Sequence, residues 1–301
     1  MTAYPRPGHP LPYVLTRAEA PALWLVGTLW LPLATGAQTD NQFILIEQEF
    51  MPGPGPVSHS HPYHEAFYVL EGEFTYRAGG QSVTAGPGTF LHIPSGVQHG
   101  FDVEKSPARA LNFYPASGFE LLLMSITHPA AERRLPGMKE VPLPPPEQVE
   151  ILSRLFGMKR AAGMPFIDPP TPANLVTAPA GGVHVLQAAA APAFDAQGSH
   201  WQVLLTAAQT DGVYSVVLRT LPAGSEMPEQ VHDQAEGFYV LSGTLRARLG
   251  GQQLQAPAES FVLIPAGCPQ QLTAPEEVQL LLFLVPGGYE EVLQKQAAGA
   301  V

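Results

Sequence analysis

The sequence predicts an all-β protein built as two copies of one small barrel, and three observations carry that prediction. First, sliding the 301-residue chain over itself by 171 positions aligns Tyr13–Pro115 with His184–Pro286, and 33 of those 103 positions are identical. Chance overlap at ordinary composition gives roughly a tenth or less. Second, the matches gather in strand-like blocks: EAFYVLEG at 65–72 meets EGFYVLSG at 236–243, and FLHIPSG at 90–96 meets FVLIPAG at 261–267. Third, 33 prolines and 29 glycines punctuate the chain throughout, the pattern of many short strands joined by turns.

Taken in order, the apolar window Ala20–Ala34 is interrupted by Pro21, Gly27 and Pro32 and reads as buried strands, too short to span a bilayer. Phe43–Phe50, Phe67–Leu70, Glu73–Arg77, Phe90–Ile93 and Ala110–Tyr114 follow as strands of the first copy, with Tyr214–Leu221 the counterpart of the first of these in the second. Short strands at this spacing suit a sandwich or closed barrel, whose interior can hold one metal and one ligand. Phe119–Thr127 leans to helix. A helix is predicted at about 147–156, with Val149, Leu152, Leu155 and Phe156 on one face, prolines at its start and Gly157 at its stop. Met164–Ala180 has the composition of a linker, and Tyr289–Ala298 that of a terminal helix. The expected division is a first barrel at 1–145, a helix and Pro-rich linker at 146–183, and a second barrel at 184–301.

A net charge of −11 argues against nucleic-acid or anionic-membrane partners, which need a basic face. Cys268 is the single cysteine, so an intrachain disulfide and a thiolate cluster are both excluded; it reads as an inert thiol. The N-terminus lacks the basic start and apolar core of a signal peptide. The expectation is a soluble, cytoplasmic protein.

The chemistry centres on Gly53–Gly72. His59 and His61, two apart, project to one side of an extended backbone, and Glu65 has the same parity. His99 arrives later, in PSGVQH. Three imidazoles and a carboxylate suit a divalent transition metal: iron, manganese, cobalt, nickel, copper or zinc. The second copy has Gln230, His232, Glu236 and Gln270 at the matching positions. Two imidazoles have become weak amide donors, so this degenerate site should not hold a metal tightly, and one ion per chain is expected. His64 has the opposite parity and should lie outside the site, and His92, aligned with Leu263, reads as a core residue. His9, His128, His184 and His200 have no partner pattern.

The spacing Gly53-x5-His59-x-His61-x3-Glu65-x6-Gly72, followed by Gly88-x5-Pro94-x-Gly96-x2-His99, resembles the two motifs of the cupin superfamily, and the duplication resembles a bicupin. One departure is Val103, where the second motif usually ends in Asn. The resemblance implies two tandem jelly-roll β-barrels with a short helical linker, and His59, His61, Glu65 and His99 as ligands of one metal. With LATGAQTD at 33–40 and HEAFYVLEGEFTY at 64–76, the chain looks most like quercetin 2,3-dioxygenase-like proteins. That likeness implies a ring-opening dioxygenase: a flavonol hydroxyl ligates the metal, Glu65 takes its proton as general base, and dioxygen inserts with loss of carbon monoxide. Phe67, Val69 and Phe101 would wall the pocket, and a flat small-molecule substrate and O2 would be the partners. Two alternatives stay open. One is a non-oxidative metal enzyme, an isomerase or an oxalate-type decarboxylase, which wants a pocket cation such as Arg77 or Arg109; the other is a binding protein without turnover. Cupins often dimerise, so a homodimer is a further expectation, though no stretch of the sequence specifies an interface.

Overall fold

The computed structural model describes residues 11–116, 118–160, 171–172 and 182–299. They form mostly β-structure, grouped into two compact units. The N-terminal unit comprises 21–36 and 43–190, and the C-terminal unit 1–20, 37–42 and 191–301. This grouping departs from the division expected at 145 and 184, because the first strand of each repeat pairs outside its own repeat. Tyr13–Thr16 pairs with Ser260–Ile264 in the C-terminal unit, and His184–Gln187 pairs with Thr89–Ile93 in the N-terminal unit. Tyr13 meets Leu263 as His184 meets His92. The two strands are equivalent by the repeat, so each offers the same hydrogen-bonding edge to an equivalent partner.

In the N-terminal unit the antiparallel order runs Leu23–Leu25, Thr28–Ala34, Ile44–Phe50, His99–Tyr114, Glu65–Ala78, Gln81–Ala85. The segments Phe67–Leu70 and Glu73–Arg77, expected as separate strands, are one 14-residue strand. It stays continuous through Gly72 (φ +84°), where an added Cβ would lie 2.6 Å from the Ala108 backbone. Only glycine suits that approach. Gly243, its equivalent, has φ +76° and a Cβ there would meet Glu277 O at 2.3 Å. The facing strand His99–Tyr114 carries register shifts between Val103 and Ala110, bulges that bend it. Its core gathers Phe50, Phe67, Val69, Phe74, Tyr76, Phe101 and neighbouring apolar residues, each large side chain stabilising the fold by roughly 1.5–3 kcal/mol relative to exposure.

The ungapped repeat slips here by one residue. Asn112 pairs with Phe67 and Ile46, and Leu282 pairs with their equivalents Phe238 and Val217. From that strand onward the offset is 170, because the bulged stretch of the first copy is one residue longer.

Three α-helices occur among the described residues: α1 (Phe119–Ser125), α2 (Pro146–Leu155) and α3 (Tyr289–Ala297). Glu120 of α1 accepts from Gly36 N and Gly118 N, and Glu290 of α3 accepts from Ala207 N and Gly288 N. Each acid ties its helix to the same loop of its own repeat. On α2, Leu152 and Phe156 pack on the core as expected, but Leu155 is 73% exposed; the helix lies shallowly and buries a narrower face than its pattern offers. Of the expected linker at 164–180, only Thr171–Pro172 falls within the described residues, paired with Val83 and Thr84. Among the described residues, no helix is long and apolar enough to cross a membrane.

Candidate metal centre

His59 and His99 are cross-strand partners, with ring centroids 4.4 Å apart. His61 lies two residues on, its ring 4.9 Å from that of His99. One nitrogen from each of the three imidazoles falls within 4.8 Å of the others, close enough for all three to hold one ion. Backbone carbonyls orient them: Nδ1 of His59, His61 and His99 lies 2.8, 3.1 and 2.8 Å from the carbonyls of Val57, Tyr63 and Val97. A carbonyl only accepts, so each Nδ1 carries the proton and each Nε2 presents a lone pair.

Glu65 opens its long strand beside them, 3% exposed. Its Oε2 sits 3.1 Å from His61 Nε2 and 2.9 Å from His99 Nε2. Its Oε1 accepts from Asn112 Nδ2 at 2.8 Å and from the Tyr114 hydroxyl at 2.6 Å. Burial works to raise the Glu65 pKa, but the adjoining His61 and His99 outweigh it and hold the carboxyl well below the usual carboxylate range. Burial, reinforced by His99, lowers His59 to about 4, so its imidazole is neutral. The Tyr114 phenol is pushed well up by burial and by Glu65, which keeps it a donor.

The residues present fit a divalent transition metal. His99 Nε2 is buried and has no aligned hydrogen-bond partner despite its nearness to Glu65, the condition of a lone pair set for an ion. One nitrogen of each imidazole lies within reach of a single ion, and Glu65 Oε2 stands beside two of them, a donor chemistry that suits such a metal.

Four further residues shape the site without having been singled out in the sequence. Asn112 and Tyr114 hold Glu65, while Tyr63 and Phe119 stand 6.0 and 4.7 Å from the His61 ring. A signal for the first two existed: the strand positions that carry Asn112 and Tyr114 carry Leu282 and Leu284 in the second repeat, the copy that also lacks the imidazoles. The one-residue slip obscured that comparison. Phe67, Val69 and Phe101 are buried together in the core of this unit. His64 stacks on His92 at 5.5 Å, and His92 is 1% exposed. Arg77 is bound to Asp102, and Arg109 to Glu47 at 2.6 Å.

In the second repeat Gln230 and Gln270 form the same cross-strand pair as His59 and His99. His232 Nδ1 contacts Glu236, and its Nε2 lies 3.0 Å from Gln230 Oε1. Both imidazole nitrogens are thus engaged by the protein, and Cys268 is buried nearby in the chain.

The cupin domain family model matches this chain twice, over residues 46–114 and 217–286. The protein is a bicupin. Quercetin 2,3-dioxygenase of Bacillus subtilis (strain 168) is 32% identical to the bicupin over 124 residues, 41% of this chain and 37% of that protein. The match thus spans little more than a third of the curated relative. Among solved structures, oxalate decarboxylase from Bacillus subtilis at pH 4.6 superposes with a TM-score of 0.60 at 13% identity, covering 91% of this chain and 76% of that one. Another structure of that enzyme, whose description refers to its Mn(II) centres, gives 0.60 at 14% identity over 92% and 78%. At such identity these structures show the shared bicupin fold.

Proposed function

We propose that this bicupin is a metal-dependent dioxygenase that opens a flavonol-like aromatic or enol ring with O2, its single metal held by His59, His61, Glu65 and His99. The observation that carries this reading is the set of three Nδ1-anchored imidazoles converging on a doubly hydrogen-bonded glutamate inside an aromatic-lined unit. The partial likeness to quercetin 2,3-dioxygenase supports the substrate class. When bound, a divalent transition metal supplies Lewis acidity toward a substrate hydroxyl and redox chemistry toward dioxygen.

The chain's own residues do the rest. Val57, Tyr63 and Val97 fix the imidazole tautomers through their carbonyls. Asn112 and Tyr114 occupy Glu65 Oε1, so Oε2 is the oxygen that takes the substrate hydroxyl proton. Tyr63 and Phe119, with Phe67, Val69 and Phe101 deeper in the same unit, give a flat substrate apolar surroundings. O2 is the oxidant, inserting with loss of one ring carbon as carbon monoxide. The oxalate-type alternative wants a cation for a dicarboxylate, and the two candidates, Arg77 and Arg109, are already neutralised by Asp102 and Glu47.

The test is oxygen uptake by metal-loaded protein over a flavonol panel, with oxalate in parallel. Oxygen consumption with carbon monoxide release on quercetin is expected. Carbon dioxide from oxalate, or flavonol binding without turnover, would overturn the reading.

A further inference from the structure

Among the described residues, the second barrel carries a buried cation, Arg219, that the first does not. Arg219 pairs with Trp201 and Leu280 in the same register in which Gln48 pairs with Trp30 and Ala110. It has the same parity as Val217 and Leu221, both fully buried in the core of the C-terminal unit, so its side chain enters that core, 8% exposed. Nε donates to Ser199 Oγ at 3.0 Å, Nη2 contacts Met227 Sδ at 3.3 Å, and the guanidinium lies 4.7 Å from the Trp201 ring centre.

Among the described residues, no carboxylate reaches Arg219 at ion-pair distance, and Nη1 makes no hydrogen bond. A buried guanidinium without a contacting counter-charge is costly. Glu236 lies within electrostatic reach, but it is engaged by His232 and by Gln270 Nε2, the latter at 3.1 Å. That last contact uses the amide nitrogen and leaves the amide oxygen of Gln270 unsatisfied. Gln270 is 3% exposed, and its Oε1 has no hydrogen-bond partner. Nearby, the side chains of His232 and Glu236 are 29% and 18% exposed, against 1% and 4% for His61 and Glu65. This cup is therefore more open to small solutes than the first.

A buried guanidinium with no carboxylate in contact and a buried acceptor without a partner, both near Glu236, call for a ligand with an anionic group and a hydroxyl. We propose that the C-terminal barrel binds a small hydroxycarboxylate, its carboxylate on Arg219 and its hydroxyl donating to Gln270 Oε1. The duplicated cup has exchanged a cation-binding set of imidazoles for an anion-binding set. This assignment is independent of the reaction proposed for the first barrel.

Trp201 beside the guanidinium gives a local optical reporter. The experiment titrates the full chain with glycolate, and with acetate as the hydroxyl-free control, following tryptophan fluorescence. Saturable glycolate binding tighter than acetate binding is expected in the native chain and in His99→Ala. The fluorescence change should vanish in Trp201→Phe, and affinity should fall by at least about tenfold in Arg219→Gln, which installs the residue of the first repeat. Gln270→Leu should equalise glycolate and acetate, a readout that stands should Arg219→Gln not fold. Glycolate affinity unchanged in Arg219→Gln, equal affinities for the two acids in the native chain, an unchanged preference in Gln270→Leu, or loss of binding in His99→Ala would each overturn the proposal.

Discussion

His59 and His99 face each other across two antiparallel strands, and in the second repeat Gln230 and Gln270 face each other in the same register. One backbone device thus presents two imidazoles in one barrel and two amides in the other. Amide oxygens are weak neutral donors for late transition metals, and His232 is already held at both nitrogens. Elemental analysis of purified protein should therefore give close to one metal per chain. A value near two would sink the assignment of a single centre.

Glu65 and His59 should separate on substitution. His59→Ala removes a ligand lone pair and should abolish both metal retention and turnover. Glu65→Gln keeps three imidazoles and the side-chain shape but loses the proton-accepting carboxylate, so it should reduce activity more than metal content. Parallel metal analysis and oxygen uptake on both variants read the difference, and equal metal loss would remove the separate proton-accepting role.

Tyr114→Phe deletes the 2.6 Å hydrogen bond to Glu65 Oε1 and leaves the ring contact with Phe119 intact. A hydrogen bond to a buried charge is worth about 1.5–3 kcal/mol, and losing an orienting partner of a ligand typically costs about 10–100-fold in metal affinity. Competition with a chelator should show that loss with little change in circular dichroism.

Acid should weaken the fold through His92. Burial, with the neighbouring His64 and His184, lowers its pKa from the ordinary 6.5 to about 3. In that window the unfolded chain takes up a proton that the folded chain does not. Stability is then fully present above pH 6.5 and is lost as pH falls toward 3, by up to about 1.4 kcal/mol per pH unit. His92→Leu, which copies Leu263 of the second repeat, should flatten the slope of urea stability between pH 6.5 and 4.5 relative to the native chain. Parallel slopes would contradict this account.

Gly72→Ala should destabilise the N-terminal unit by several kcal/mol, since it combines left-handed strain with a Cβ 2.6 Å from the Ala108 backbone. Thermal unfolding should show it clearly, whereas Gly80→Ala, with φ +81° but nothing within 4 Å, should cost less.

Much of this was legible in the chain itself. The 171-residue repeat, the HxHx3E spacing and the later His99 are local in sequence, so the β architecture, the duplication and the imidazole–carboxylate set could be read without coordinates. Parity in the sequence pointed to His59, His61 and Glu65 together, but the fold joins them otherwise: His59 lies on the short strand His59–Ser60, Glu65 opens Glu65–Ala78, and the non-strand stretch 61–64 between them carries His61. Tertiary structure decided what depends on pairing between distant strands. It set the one-residue slip beyond the bulge, the clamp of Asn112 and Tyr114 on Glu65, the neutralisation of Arg77 and Arg109, and the burial of Arg219 without a carboxylate at contact. Those are matters of register and facing, fixed when strands up to about 250 residues apart are brought together by hydrogen bonds and core packing.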